Sequence, residues 1–370
     1  MVKNQKKSRS INNLAAASDQ DFRNIHIADG HQQHAERIAR ATLLKQRSKD
    51  QEQYLFGLSE DFRLPPQQCS DFERLALRMS ACAHYMLFRD YYTLEQVKLV
   101  DLKRCQLHLL CPFCAAGRAG NQVKAYSDKL GLILAANPRL KPVFITLTVK
   151  NGVDLVERFE HLVKSFKTMN ERRRDWKKKG WGHVEFCKVQ GAVFSYEVTF
   201  NEDTKEWHPH LHIFGLLDSW IDHSVLSSEW FEITGDSHVV DVRRVRKVNG
   251  GYRDAFQEVF KYALKFSDMS LSSTLEAYLC LKMRRLQGSF GLFRGVVVPD
   301  SILDDVSNLN GISYFERRYK FQTRVGYSLV STRLVTPKQE PEQSSGACSV
   351  LATRVREGSP VGVKYKYLTI

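Results

Sequence analysis

The spacing of apolar side chains in the middle of the chain alternates between the period of a strand, two residues, and that of a helix, about 3.6 residues. The strand period occurs at residues 143–149, 192–200, 207–217 and 239–245, and the helix period at residues 155–169, 224–233 and 254–266. The polar segment NEDTKE between the second and third strands predicts a hairpin.

The order of these elements predicts the fold class. Strand, helix, strand, strand, helix, strand and helix is the order of a ferredoxin-like or RRM-like α+β domain. Such a domain has an antiparallel sheet with two crossing helices on one face and the other face open. We expect this domain to span residues 136–310, including a helix around Leu275 and Leu281 and a strand in the segment GLFRGVVV at 291–298.

Three histidines alternate along the third strand, in the sequence WHPHLHIFG at 207–215. His208, His210 and His212 therefore project from one face, which should be the open one. Neutral imidazole binds divalent Mn, Zn, Ni or Co well, although a histidine on a strand is more commonly an ordinary hydrogen-bonded side chain. Because two ligands are too few, a third must join His210 and His212. Glu197 on the neighbouring hairpin strand and His208 are the two candidates.

The two ends of the chain are less regular. Residues 1–65 are polar and predict a poorly ordered arm with a helix near residues 34–53. Residues 66–135 predict a small helical module, with Met86 and Leu87 among the apolar positions assigned to helices. Residues 311–370 form a C-terminal extension, of which 336–358 has the composition of a flexible tail.

The helical module contains a cysteine cluster, Cys105, Cys111 and Cys114 in the pattern C-x5-C-P-F-C. Thiolates at this spacing can surround one tetrahedral zinc ion, which would hold together a module with a small core. The fourth ligand is either Cys82 or His108. A redox pair or plain buried thiols are the alternatives. The remaining cysteines are interpreted as ordinary thiols: Cys69, Cys187, Cys280 and Cys348.

Composition favours a polyanionic partner. The 370 residues include 55 Lys and Arg against 41 Asp and Glu, a formal net charge of +14. Nucleic acid is the partner that best suits this balance, although ribosomal or membrane-surface proteins are equally basic. No apolar run reaches the about 18 residues of a membrane-spanning helix, and the polar N-terminus lacks the apolar region of a signal peptide. We therefore expect a cytoplasmic protein of a bacterium or archaeon, with no membrane partner.

The last predicted helix carries a candidate nucleophile in the segment AFQEVFKYALKF at 255–266. Its apolar side chains fall on one side, and Glu258, Tyr262 and Lys265 fall on the other. Most such tyrosines are surface residues. Near a divalent ion, however, a tyrosine oxygen can attack a polarised phosphodiester and form a covalent phosphotyrosine.

Three segments in order resemble the motifs of HUH endonucleases: FITLTVKN at 144–151, HPHLHIF at 208–214 and EVFKYALK at 258–265. Together with the CPxC cluster before them and MRRLQGSFGLFRG at 283–295, they are more narrowly similar to single-tyrosine replication initiators (Rep proteins) of rolling-circle plasmids. The similarity spans roughly residues 80–300. It implies the HUH version of the ferredoxin-like fold.

The resemblance also implies an activity. Such a protein nicks one strand of plasmid DNA at the double-strand origin, stays joined to the 5′ phosphate, and leaves a 3′ hydroxyl that primes synthesis by host polymerase, with a host helicase as a further candidate partner. By this resemblance, the protein is expected to be a single-strand DNA endonuclease and strand transferase that uses Mn²⁺ or Mg²⁺. The matching positions are His210 and His212 for the metal, Tyr262 as nucleophile, Glu258 to activate water, Lys265 near the phosphate, and Thr146 and Thr148 in the first motif.

Two basic clusters are candidate contacts for single-stranded and origin DNA. The first lies at the end of the helix after the first strand and comprises Arg172, Arg173, Arg174, Trp176, Lys177, Lys178 and Lys179. The second comprises Arg243, Arg244, Arg246 and Lys247. Each could follow a phosphate backbone, and Trp176 could stack on a base, although a basic run is most often a solvated surface.

Other functions use the same residues. A rolling-circle transposase or a conjugative relaxase shares the histidines and tyrosine, but relaxases usually carry the tyrosine before the histidines. A zinc-containing nucleic-acid-binding protein without catalysis would carry the histidines and tyrosine incidentally. A covalent adduct with single-stranded DNA that depends on Tyr262 would separate these possibilities.

Overall fold

The computed structural model describes residues 31–248, 251–260 and 269–336. The helices in these ranges are α1 His31–Ser59, α2 Pro66–Ser80, α3 Pro112–Ala136, α4 Leu155–Lys179, α5 His223–Thr234, α6 Arg253–Val259 and α7 Leu271–Leu281. The strands are β1 Tyr85–Tyr91, β2 Gln96–Leu102, β3 Lys141–Thr148, β4 Val189–Asn201, β5 Glu206–Leu217, β6 Val240–Arg244, β7 Gln287–Gly291, β8 Tyr314–Gln322 and β9 Gly326–Val335. No helix in the described ranges is long and apolar enough to span a bilayer.

The larger sheet has the strand order β6-β3-β5-β4-β7, with every neighbouring pair antiparallel. Its elements from β3 to β6 follow the predicted order of strand, helix, strand, strand, helix and strand. The α+β class is therefore confirmed. The β4–β5 hairpin closes at Asn201, whose side-chain oxygen accepts hydrogen bonds from the backbone N–H groups of Asp203 and Thr204.

Helix α4 covers one face of this sheet. It begins after Asp154, whose carboxylate accepts a hydrogen bond from the backbone N–H of Glu157, and it ends at Gly180 in the left-handed conformation. Its apolar stripe, which includes Phe159, Leu162 and Phe166, is buried in the larger apolar core. This core also contains the β3 and β5 side chains that point away from the histidines.

The other face is not open as expected: two helices cover one end of it, and His210 and His212 at the other end are only 7% and 8% exposed. Helices α3 and α6 pack on the end of this face that carries Phe144, Val193, Phe214 and Leu216. These apolar side chains require cover, because they would otherwise expose a large apolar area to water. The half of the face that carries the histidines lies beyond this second core.

The module before this domain is not purely helical. Met86 and Leu87, which the sequence pattern assigned to a helix, lie in strand β1. β1 pairs with β2 and β8 in a four-stranded sheet of order β2-β1-β8-β9, so the C-terminal extension returns to the N-terminal part of the chain. Residues 1–30 and 337–370, which contain most of the predicted arm and the tail, lie outside the described residues.

Helix α1 confirms the helix predicted near residues 34–53. It is packed more tightly against the rest of the protein than expected for a poorly ordered arm. Lys45 in its middle is 1% exposed, and its ammonium donates to the backbone carbonyl of Met79 at 3.2 Å.

The prediction of a strand at 291–298 is wrong. β7 ends at Gly291, and the GLFRG segment is a turn. Gly291 has φ of +60°, and a side chain there would collide with the carbonyl oxygen of Gln190. A glycine is therefore required for β7 to end against β4.

Candidate active site and metal-binding clusters

The histidines of β5 lie in the centre of the larger sheet, between β3 and β4. The register places His210 between Thr148 of β3 and Glu197 of β4. His212 lies two residues further along β5, beside Thr146. All five side chains share one face, because their positions differ by an even number of residues along paired strands.

Glu197, His210 and His212 form a compact group, with one ligand atom of each residue within 4.8 Å of the others. Glu197 Oε2 lies 3.0 Å from His212 Nε2 and 3.5 Å from His210 Nε2. Of the two candidates for a third ligand, Glu197 is therefore the one in the group. His208 is half-buried, and its Nδ1 instead contacts the side-chain oxygen of Asn151.

The two imidazoles are held by their other nitrogens. His212 Nδ1 lies 3.3 Å from the hydroxyl oxygen of Thr146, and His210 Nδ1 lies 3.4 Å from the carbonyl oxygen of His208. Without an ion, an N–H at Nε2 of each ring donates to Glu197. With an ion bound, the proton would lie on Nδ1, where it donates to the neighbouring oxygen and leaves the Nε2 lone pair for the ion. This is the arrangement that orients histidines as metal ligands.

Glu197 is ionised despite its burial. Burial alone would raise its pKa, but hydrogen bonds from His210 and His212 outweigh that effect and hold the pKa well below its usual value. A buried carboxylate beside two imidazoles is a donor set that suits a divalent cation such as Mn²⁺. The group could therefore hold one such ion.

Helix α6 approaches this group along the same face. The ring of Phe256 packs 4.4 Å from that of Phe214, which lies two residues beyond His212 on β5. Glu258 is half-buried in the last turn of α6. Tyr262 and Lys265 lie outside the described residues.

The cysteine cluster contains four thiols, and the fourth is Cys82. Cys82 Sγ lies 3.5 Å from Cys114 Sγ and 3.8 Å from Cys111 Sγ, and Cys105 Sγ lies 3.6 Å from Cys114 Sγ. Sulfurs around a tetrahedral zinc ion with bonds of about 2.3 Å lie about 3.8 Å apart. The cluster therefore has the dimensions of a zinc site with four cysteine ligands.

Three chain segments meet at this cluster. Cys82 follows α2, Cys105 lies beyond β2, and Cys111 immediately precedes α3. Hydrogen bonds from Cys105, Cys114 and Cys82 hold the pKa of the buried Cys111 thiol well below its usual value, as expected for a thiolate ligand. His108 is not part of the cluster, since its ring accepts a hydrogen bond from Arg118 at 3.1 Å.

Comparison with known proteins identifies the family to which the chain belongs. The sequence model of the family described as Replication protein matches residues 96–331. The chain belongs to this family. The match covers the Glu–His–His group and three of the four cysteines, whereas Cys82 lies before it. The motif-based resemblance to replication initiators is thereby confirmed at the level of the family.

Individual relatives carry the name Protein rep. This member of the Replication protein family is 27% identical over 203 residues to a protein from Streptococcus pneumoniae serotype 2 (strain D39 / NCTC 7466), covering 50% of this chain and 60% of the relative. It is 25% identical over 266 residues to one from Bacillus amyloliquefaciens (61% and 73%) and 23% identical over 261 residues to one from Lactiplantibacillus plantarum (64% and 78%). The chain thus spans only about 60% of the length of the streptococcal relative. No solved structure shows significant similarity to the chain.

The first basic cluster of this family member is not uniform. Arg173 is 5% exposed, its guanidinium donates to the carbonyl of Val189 at 2.8 Å, and it stacks on Phe290. It supports the sheet and offers no surface to DNA, so its prediction as a DNA contact is wrong. The other cationic residues of this cluster are half-buried or exposed: Arg172, Arg174, Lys177, Lys178 and Lys179. Trp176 is half-buried against His183.

The second basic cluster borders the histidine face. Arg243 pairs with Phe144 in the sheet register and extends over its ring, on the face that carries His212. Arg244 points to the opposite face and stacks on Trp220. Arg243 is also paired with Asp241 at 2.6 Å, which offsets its charge.

Proposed function

We propose that this protein initiates rolling-circle replication of a plasmid by nicking one DNA strand at the double-strand origin. The observation that carries the proposal is the buried Glu197–His210–His212 group in a chain of the Replication protein family. The net charge of +14 suits a DNA substrate. The freed 3′ hydroxyl would prime synthesis by the host polymerase, and a host helicase would open the duplex.

We propose further that residues 136–310 form the ferredoxin-like fold of HUH endonucleases. Two observations support this. The elements from β3 to β6 have the order strand, helix, strand, strand, helix and strand, and the sheet order β6-β3-β5-β4 places the first and third of these strands in the centre. A central third strand can carry a metal site, because it is flanked on both sides by strands that supply further ligands and orienting groups.

In the proposed mechanism, His210, His212 and Glu197 would hold a divalent ion, Mn²⁺ or Mg²⁺. Such an ion would supply Lewis-acid polarisation of the oxygens of the phosphate that is cut. Thr146 keeps the His212 ring in the tautomer that exposes Nε2. The buried thiols of Cys82, Cys105, Cys111 and Cys114 hold a separate, structural zinc ion.

Tyr262 is the proposed nucleophile. Its phenol loses a proton and its oxygen forms a bond to phosphorus, while the bond from phosphorus to the 3′ oxygen breaks and that oxygen takes up a proton. The product is a 5′ phosphotyrosine and a free 3′ hydroxyl. Lys265 would stabilise the phosphate charge, and Glu258 would later activate the water that releases the protein. The position of α6 against Phe214 supports this assignment, because it brings Phe260, two residues before Tyr262 in the sequence, to the same face of the sheet as His212.

The tyrosine assignment has a direct test. We expect the purified protein, mixed with Mn²⁺ and single-stranded oligonucleotides that carry candidate origin hairpins, to form an adduct that survives denaturation. Tyr262→Phe should abolish the adduct, because phenylalanine has no nucleophilic oxygen. Tyr252→Phe, a nearby tyrosine at the start of α6, is the matched control and should form the adduct normally. An adduct retained by Tyr262→Phe would assign the nucleophile to another residue.

The role of Thr146 can be tested separately. Thr146→Val keeps the shape of the side chain but removes the hydroxyl beside His212 Nδ1, and loss of such an orienting group weakens metal binding by about 10- to 100-fold. Isothermal titration with Mn²⁺ measures the change. Thr148→Val is the control, since that hydroxyl donates to the carbonyl of Val239 rather than to a histidine. Equal Mn²⁺ affinities for both variants would contradict the orienting role.

A further inference from the structure

A basic pocket lies beside the end of α6. It has a volume of about 160 Å³ and is lined by residues that include Arg118, Gln122, Phe260, Lys282, Arg285 and Gln287. Arg118 and Gln122 lie on α3, and Gln287 begins β7. Phe260 immediately follows α6, and Lys282 and Arg285 follow α7. Phe260 is the last described residue before the segment that contains Tyr262, so the pocket is close in the chain to the proposed nucleophile.

The described residues that line the pocket carry charge of one sign. Its described lining includes Arg118, Lys282, Arg284 and Arg285 and no acidic residue. Arg284 is paired with Glu160 at 2.9 Å, outside the lining. The other three cations are exposed at the pocket, without a carboxylate in its described lining. An anion would therefore be attracted from several directions at once.

The cationic side chains are held in place. Arg285 Nε donates to the carbonyl oxygen of Gln287 at 3.0 Å, which leaves its terminal nitrogens available to the pocket. Arg118 donates to the ring of His108, and burial together with the charge of Arg118 lowers the pKa of His108, so that the ring is a neutral acceptor. The side chains of Gln122 and Gln287 hydrogen-bond to each other and join α3 to β7.

The size of the pocket limits its occupant. Pockets for free small molecules usually measure about 300–1,000 Å³. A volume of about 160 Å³ suits a single small group that belongs to a larger molecule. Arginine guanidinium groups match the geometry of phosphate oxygens, and arginine and lysine are the usual phosphate contacts of DNA-binding proteins.

We propose that this pocket binds a phosphate of the single-stranded DNA that flanks the nick. The inference rests on the proposed function and adds a substrate contact to it. Arg118, Arg285 and Lys282 hold the phosphate, and the Gln122–Gln287 pair forms the support between α3 and β7. The contact anchors the strand beside Phe260, two residues before Tyr262 in the sequence, and it reads no base sequence.

The test measures DNA binding without cleavage. Fluorescence anisotropy of a labelled thymidine homopolymer, over a range of NaCl concentrations and without divalent ions, is recorded for the full chain and for Arg118→Gln and Arg285→Gln. We expect each variant to bind about tenfold more weakly, a ratio equivalent to about 1.4 kcal/mol. The slope of log K against log salt should fall by about 0.7 for each phosphate that the variant no longer neutralises. The matched control is Arg324→Gln, an exposed arginine in the β8–β9 turn.

Thermal melting of each variant shows whether it is folded, and Arg285→Lys supplies a variant that keeps the charge. Retained binding by Arg285→Lys together with weak binding by Arg285→Gln supports the pocket. Affinity and slope of Arg118→Gln and Arg285→Gln equal to those of Arg324→Gln overturn it. The binding assay does not depend on adduct formation, so the two proposals are tested independently. The pocket proposal can be overturned while wild-type protein still forms the adduct. It can also be supported when Tyr262→Phe leaves the adduct unchanged.

The position of the contact has its own test, on an oligonucleotide that the protein cleaves. Single phosphates near the nick are replaced in turn by neutral methylphosphonates. At one flanking position the replacement should weaken binding of wild-type protein but cause no further loss in Arg285→Gln, since both changes remove the same interaction. Additive losses at every flanking position would place the contact elsewhere on the strand and overturn the assignment.

Discussion

Glu197→Gln is expected to slow the proposed metal-dependent DNA cleavage by about a thousandfold, because a metal acting as a Lewis acid contributes several kcal/mol, here about 4 kcal/mol, of transition-state stabilisation. The change keeps the volume of the side chain and removes its negative charge. That charge lies 3.0 Å from His212 Nε2 and 3.5 Å from His210 Nε2 in a group that is almost fully buried. Without it, the two imidazoles alone hold a divalent ion poorly.

Two measurements check this expectation: single-turnover cleavage of single-stranded DNA and isothermal titration with Mn²⁺. Glu206→Gln, at the turn end of β5, is the matched control and should behave like the wild type. The expectation is contradicted if the Glu197→Gln protein melts normally, binds Mn²⁺ as tightly as the control and cleaves at the same rate. The metal centre would then lie outside this group.

Cys82→Ser is expected to release one equivalent of zinc and to lower the Tm by about 5 °C, which for a protein of this size corresponds to roughly 4 kcal/mol. The free energy of zinc binding in small zinc domains reaches about 10 kcal/mol or more. The effect here should be smaller, because the four cysteines belong to a larger apolar core that remains when the ion is lost. The segments that lose their connection are the ends of α2 and β2 and the start of α3.

Zinc content by atomic emission and thermal melting test this second expectation. Cys69→Ser is the control, since Cys69 is half-buried and its thiol donates to the carbonyl of Asp61 rather than to the cluster. The zinc site is contradicted if purified wild-type protein contains no zinc and the two variants have equal Tm values. The four cysteines would then be an ordinary group of buried thiols. Loss of zinc should also weaken DNA binding in the basic pocket, because Leu109 and Ala115 beside the cluster line it.

The end of the histidine face that α3 and α6 cover shows what a local sequence pattern can predict and what it cannot. The alternation that places His208, His210 and His212 on one face continues without a break to Phe214 and Leu216. An aromatic and an aliphatic side chain at the next two positions indicate a face that becomes apolar. This signal was present in the sequence, but the helix that covers it, α3, begins about a hundred residues earlier in the chain.

The cysteine cluster and the first basic cluster show the opposite case. Cys82 and His108 were equally plausible fourth ligands, and His108 is much closer to the other cysteines in the sequence. Arg173 is indistinguishable by pattern from Arg172 and Arg174, yet only Arg173 is buried against β4 and Phe290. No property of the local sequence separates these residues.

The sequence by itself determined the order of the elements from β3 to β6, the α+β class, and the face of β5 that carries the histidines. These follow from the periods of strand and helix, which depend only on neighbouring residues. Only the tertiary structure decided that Glu197 completes the group with His210 and His212 and that Cys82 completes the cysteine cluster. It also brought α3, α7 and β7 together around a basic pocket. These contacts depend on strand register and on helix packing between segments that are distant in the sequence. A register shift of one residue would turn a strand's side chain to the other face of the sheet.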